Sequence, residues 1–167
     1  EFLNDFISLF YPRCCVGCGK ALVKGEEYLC LSCLFEIPYA GISEQKWNFL
    51  EERLSGRIRL QFATAYLFFE KEGITQQILH ELKYRGNLEL GMKFGRMFGK
   101  ELMKGRFKSV DVLVPVPLHP NKLKIRGYNQ SEVICRGMAE VMKIPVMNNL
   151  MERIVENSTQ TKKGEKL

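Results

Sequence analysis

The chain has 167 residues, 46% of them hydrophobic, and 25 Lys and Arg against 19 Asp and Glu give it a net charge of +6. That is enough chain for one real core and a small appendage, but no run approaches the roughly 18 apolar residues of a membrane-spanning helix; the best is FATAYLFF at 62–69. The opening EFLNDFISLFYP has neither a basic region nor a small-residue cleavage site, so no signal peptide and no membrane insertion are expected, and the expected compartment is a reducing cytoplasm where disulfides do not persist.

The first element is a cysteine cluster. RCCVGCG at 13–19 and LCLSC at 29–33 contain Cys15-x-x-Cys18 and Cys30-x-x-Cys33, separated by 11 residues. Two such knuckles bring four thiolates to the corners of a tetrahedron, as in closed structural Zn²⁺ sites. Gly17 and Gly19 suit the tight reversal this needs, and KGEE at 24–27 reads as the hairpin turn between the halves. Some forty residues with few large side chains cannot fold by burial alone, and metal binding supplies on the order of 10 kcal/mol. The expectation is a structural zinc ribbon over 1–40. Redox pairs, free thiols or an iron–sulfur cluster are the other readings of the same spacing. Cys14 is a bystander, since pairing through Cys15 keeps the x-x spacing, and Cys135 is expected to be a buried core thiol.

Residues 41–60 read as a polar connecting helix ending near Ser55-Gly56, with Trp47, Leu50 and Leu54 on one face. FATAYLFFEKEG then reads as a strand entering a turn. ITQQILHELKY is a helix that stops at Arg85-Gly86, and His80 within it has no second histidine beside it. A further helix over roughly 88–104 buries Leu90, Phe94, Met97 or Phe98, and Leu102. VDVLVPV at 110–116 is an apolar run of the buried parallel-strand type, which its prolines bring to an end. A basic loop with Lys122, Lys124 and Arg126 leads to Asn129, which with Glu132 forms a capping-box-like start for a helix to about Met142, and IPVM begins the next strand.

Strand, basic loop, helix N-terminus, helix and strand make a βαβ unit with an anion crevice, into which Arg126, Asn129 and Gln130 would point polar groups. The plainer reading is an ordinary α/β connection with a solvated loop. Charge agrees with either: residues 121–167 carry nine Lys and Arg against five acids, whereas 1–40 carry three against five. A basic region of this kind suits a phosphorylated small molecule or a nucleic acid.

The cysteine knuckles, LKYRG (82–86), VPVPLHPNKLKIRGYNQ (114–130) and NSTQT (157–161), in that order, resemble the ComF/GntX family. That family joins a zinc ribbon to a type I phosphoribosyltransferase-like domain, and the second motif is also similar to the pyrophosphate loop of amidophosphoribosyltransferases. The resemblance implies an α/β fold with a parallel sheet over 61–167. It implies phosphoribosyl pyrophosphate, with Mg²⁺, as ligand. Lys83, Arg85, Arg126, Gly127, Asn129, Gln130, Gln160 and Thr161 are then the residues that bind the pyrophosphate or another anion, and Cys15, Cys18, Cys30 and Cys33 the zinc ligands.

One departure matters. The acidic pair and Thr/Gly-rich loop of the form D-D-x-x-T-T-G-x-T, which holds the ribose and 5-phosphate in such transferases, is absent from these 167 residues. The domain is therefore expected to be truncated after Leu167, and the chain as it stands is not expected to be a competent glycosyltransferase. The relatives' association with DNA uptake implies competence proteins and single-stranded DNA as partners. Single-stranded DNA binding and a non-catalytic zinc-ribbon interaction module are the alternative functions.

Overall fold

The computed structural model describes residues 12–41 and 49–156. Trp47, Gln160 and Thr161 lie outside the described residues. In chain order the helices are α1 (Leu31–Phe35), α2 (Phe49–Leu54), α3 (Ile74–His80), a π-helical turn (Glu81–Arg85), α4 (Leu88–Leu102), a 3₁₀ turn (Arg106–Ser109), α5 (Pro120–Arg126) and α6 (Gln130–Met142).

The expected parallel sheet is not formed: among the described residues there are only isolated bridges. Leu113 and Val146 do pair in parallel, with the Leu113 amide donating to Pro145 O and the Met147 amide to Leu113 O, both at 2.9 Å. The neighbouring rungs would need N–H donors from Pro115 on one segment and Pro145 on the other, and proline has none. The ladder therefore stops after one pair. FATAYLFF meets a similar limit, because its Tyr39–Leu67 antiparallel bridge adjoins Pro38, which accepts from the Phe68 amide at 2.8 Å but cannot donate back.

The helices hold the molecule together. α4 crosses α6 with glycine against backbone: a methyl group added at Gly95 would lie 2.2 Å from Ile134 O, and one at Gly137 would lie 2.3 Å from Met92 O. Asn87 Oδ1 caps α4 by accepting from the Leu90 amide at 3.1 Å, and Asn129 Oδ1 caps α6 by accepting from the Ser131 amide at 3.1 Å. Glu132 does not complete a capping box; its carboxylate takes Arg136 one turn on. Leu82, Leu90 and Phe94 form one buried cluster with Ile78 and with Cys15, Leu29, Cys33 and Ile37 of the cysteine-rich segment. A second cluster contains Leu102, Met138 and Met142, and Ile134 packs against both. Each such large side chain contributes about 1.5–3 kcal/mol by leaving water.

α2 ends at Leu54, just before Gly56 turns left-handed at φ 79°. Its Glu51 is buried, accepting from the Ala63 amide at 3.1 Å and from Arg106 Nη2 at 2.8 Å. Arg106 in turn lies over the Phe62 ring at 4.4 Å. This buried ion pair ties α2 to the 3₁₀ turn. Among the described residues no helix is long and apolar enough to cross a membrane.

Candidate functional site

The cysteine-rich segment folds as two loops around four sulfurs. The Leu22 amide donates to Arg13 O at 2.7 Å and the Cys15 amide to Lys20 O at 2.8 Å, closing the first loop, which Gly19 turns at φ 74°. Glu26 closes the hairpin, its carboxylate accepting from the Val23 amide at 3.0 Å and the Leu31 amide at 2.7 Å. These bonds hold the Glu26 carboxyl below the usual range.

Sγ atoms of Cys15, Cys18, Cys30 and Cys33 all lie within 4.8 Å of one another, and Cys18 and Cys30 are 3.7 Å apart. A tetrahedron of about 2.3 Å metal–sulfur bonds has edges of about 3.8 Å, so the donor set fits a metal such as zinc. A Cβ at Gly17 would meet Cys33 Sγ at 2.9 Å, which reserves that position for glycine. Cys14 is exposed, donates to Pro12 O and stands apart from the four. Burial raises the Cys15 thiol, but backbone N–H groups of Cys30, Cys18 and Gly17 outweigh it and bring the thiol down to about 7. Burial and the neighbouring sulfurs push Cys33 well up. Negative charge on Cys15 thus works against ionisation of Cys33, a conflict that a central cation relieves.

The second feature is a basic cavity of ≈ 640 Å³ where the π turn, α5, the start of α6 and the extended Val116–Leu118 segment converge. Lys83, Lys122, Arg126 and Arg153 line it, and no carboxylate does. Lys83, Arg126 and Arg153 have no carboxylate partner within 4.0 Å among the described residues. An adjoining cavity of ≈ 460 Å³ shares Lys83, Tyr84, Lys122 and Arg126, so the two form one trough. Asn129 and Gln130 are in its wall; Asn129 Nδ2 donates to Val116 O at 2.9 Å, and the buried Gln130 Nε2 has no partner among the described residues.

Of the anion-site residues named from sequence, the fold brings Lys83, Arg126, Asn129 and Gln130 together here. Gly127 ends α5 in the left-handed region at φ 81°, with its amide donating to Leu123 O at 2.7 Å. Arg85 is elsewhere. Two residues apart on a helical turn point in nearly opposite directions, so Arg85 pairs with Glu81 at 3.1 Å and lines a different cleft of ≈ 1110 Å³ beside the first cysteine knuckle. That larger cleft is lined by two bases, Arg13 and Arg85, and two acids, Glu27 and Glu81, so its charges balance, and Arg85 is paired with Glu81. The smaller trough is the one with uncompensated charge.

The stretch read as a basic loop is the helix α5, with Pro120 in its first turn and His119 Nδ1 accepting from the Asn121 amide at 3.3 Å. Helical spacing puts Lys122 and Arg126 on one face, four residues apart, a signal visible once Pro120 is taken as a helix start. Arg153 had no local signal; only the chain's return along the crevice brings it there. Cys135 is half-buried, and burial raises its thiol.

No protein-family model and no solved structure matches the chain. A curated relative does: Competence protein F of Haemophilus influenzae is 31% identical over 163 residues, spanning 90% of this chain and 70% of the relative. The chain belongs to the competence protein F family. Within that family the match to competence protein F covers nine-tenths of this chain.

Proposed function

We propose that this competence protein F relative acts in DNA uptake, with a structural zinc in its four-cysteine cluster and a phosphate-bearing ligand in its basic trough. The sequence resemblance points to phosphoribosyl pyrophosphate as that ligand. The observation that carries the reading is a trough whose Lys83, Arg126 and Arg153 have no carboxylate partner among the described residues, beside the N-terminus of the 13-residue helix α6. The buried, unpartnered Gln130 Nε2 offers a further donor to a phosphate oxygen. Among the described residues the only cluster able to hold a metal is the cysteine one, so Mg²⁺ would arrive on the ligand's own phosphates.

Titration calorimetry with phosphoribosyl pyrophosphate and Mg²⁺ tests this. Saturable binding is expected, and Arg126→Ala should weaken it by roughly 10- to 100-fold, the worth of a charge-assisted hydrogen bond. Absence of any heat, with the protein folded and metal-loaded, would sink the reading.

A second reading has its own observation. Tyr84 is 58% exposed on the rim, with the His80 ring 4.8 Å and the Arg126 guanidinium 5.9 Å from its own. An exposed aromatic beside a cationic groove suits the stacked bases and phosphates of single-stranded DNA. Affinity for an oligothymidylate should then fall steeply with salt, log K against log [salt] having a slope of about −0.7 per phosphate neutralised, and should weaken in Tyr84→Ala. A flat salt response rules this reading out.

A further inference from the structure

We infer that Tyr128 is a positioning residue of the basic trough, fastening the turn that carries Lys83 to the loop that follows Arg126; this rests on the trough being the ligand site. The π turn over Glu81–Arg85 is the one irregular stretch between α3 and α4, and Gly86 closes it in the left-handed region at φ 68°. π turns inside helices tend to mark functional positions. The side chain of Leu82 is buried in the cluster that also holds Cys15 and Cys33, while the next residue, Lys83, is exposed and faces the trough. What sets the direction of Lys83 is therefore how the backbone at Leu82 is held.

The Tyr128 hydroxyl holds it, donating to Leu82 O. A carbonyl has two lone pairs, so this bond does not compete with a helical donor. From the other side, the residue next to Tyr128 is pinned by the bond from Asn129 Nδ2 to Val116 O. Tyr128 and Asn129 thus clamp the Gly127–Asn129 loop between the π turn and the extended segment. Lys83 comes from one side of the clamp and Arg126 from the other, and both reach the same cavity. Nothing in the trough itself would hold two like charges together, so the loop must do so before a ligand arrives.

Tyr128→Phe removes the one oxygen and keeps the ring. In the full chain without ligand, amide exchange at Lys83–Gly86 should quicken by about tenfold, the worth of one hydrogen bond, with α6 unchanged. With inorganic pyrophosphate as probe, Tyr128→Phe and Lys83→Ala should each weaken binding by about tenfold. The double variant should be little weaker than Lys83→Ala alone, because the hydroxyl acts through Lys83. A purely structural role would instead give losses that multiply. Multiplying losses, or unchanged exchange at Lys83–Gly86, overturns the inference. If the wild-type protein binds no pyrophosphate, the site reading fails and the positioning role with it. The exchange result would then report on the hydrogen bond alone.

Discussion

Removing the metal from the four-cysteine cluster is expected to unfold residues 12–41 and to lower the melting midpoint of the whole chain. Apart from its sulfurs, this segment's buried side chains are Leu29 and Ile37, with Cys15 and Cys33 themselves completing its share of the core. Metal binding in such segments supplies on the order of 10 kcal/mol, far more than two aliphatic side chains contribute. The same four residues form one wall of the cluster that buries Leu82, Leu90 and Phe94, so losing them exposes the π turn and α4 as well. A strong chelator under reducing conditions should release one zinc per chain, read by atomic absorption, and free amide exchange over 12–41. Acid should do the same, because protons compete with metal for the thiolates and occupancy falls as pH falls. Cys18→Ser should lose the metal while Cys14→Ser keeps it. A chelated protein that melts unchanged would contradict the assignment.

Gly95→Ala is expected to be the most damaging single methyl in the helical body. Alanine normally favours a helix over glycine by about 1 kcal/mol. Here the new Cβ would lie 2.2 Å from Ile134 O and 3.0 Å from Gly137 Cα, both backbone atoms that cannot turn aside. The helices must part, and overpacking of this kind costs about 1–3 kcal/mol or more. Gly91→Ala meets the side-chain carbons Leu82 Cδ2 at 2.7 Å and Val133 Cγ1 at 2.8 Å, which can give way. Urea unfolding should therefore rank the pair, with a destabilisation of about 3 kcal/mol for Gly95→Ala and clearly less for Gly91→Ala. Equal midpoints for the two variants would contradict the close crossing of α4 and α6.

These two features were not equally visible in the sequence. The cysteines were, because a four-thiolate site needs only two short spacings and a turn, all local. Helices α4 and α6 were too: their apolar positions recur at helical spacing, and Asn129 stands where α6 needs a cap. The glycines at 91, 95 and 99 were in plain view at intervals of four, yet their meaning depends on which helix they face.

The sheet fails to form for a reason that is not local. VDVLVPV has the composition of a buried strand, but whether a proline stops a ladder depends on register, and register is set by the partner. Leu113 opposite Val146 happens to demand donors from Pro115 and Pro145, so pairing ends at one bridge. α5 went unseen because Leu123 and Ile125 are exposed and give no amphipathic period. Lys83 and Arg85 enter together through the family resemblance of LKYRG, and the helical turn sends them to opposite sides. Glu51, an acid among neighbours read as a solvated helix, is buried because Arg106 arrives from 55 residues away.

The proposed site for a phosphate ligand is the trough lined by Lys83, Lys122, Arg126 and Arg153. Amide and side-chain NMR shifts on titrating phosphoribosyl pyrophosphate into the isotope-labelled, metal-loaded chain test it most directly. Saturable shifts are expected at Lys83, Tyr84, Gly86, residues 116–118 and 122–131 and Arg153, with none in the larger cleft around Arg13–Gly19. Shifts centred on that cleft and Arg85, or no saturable shift anywhere, would contradict it.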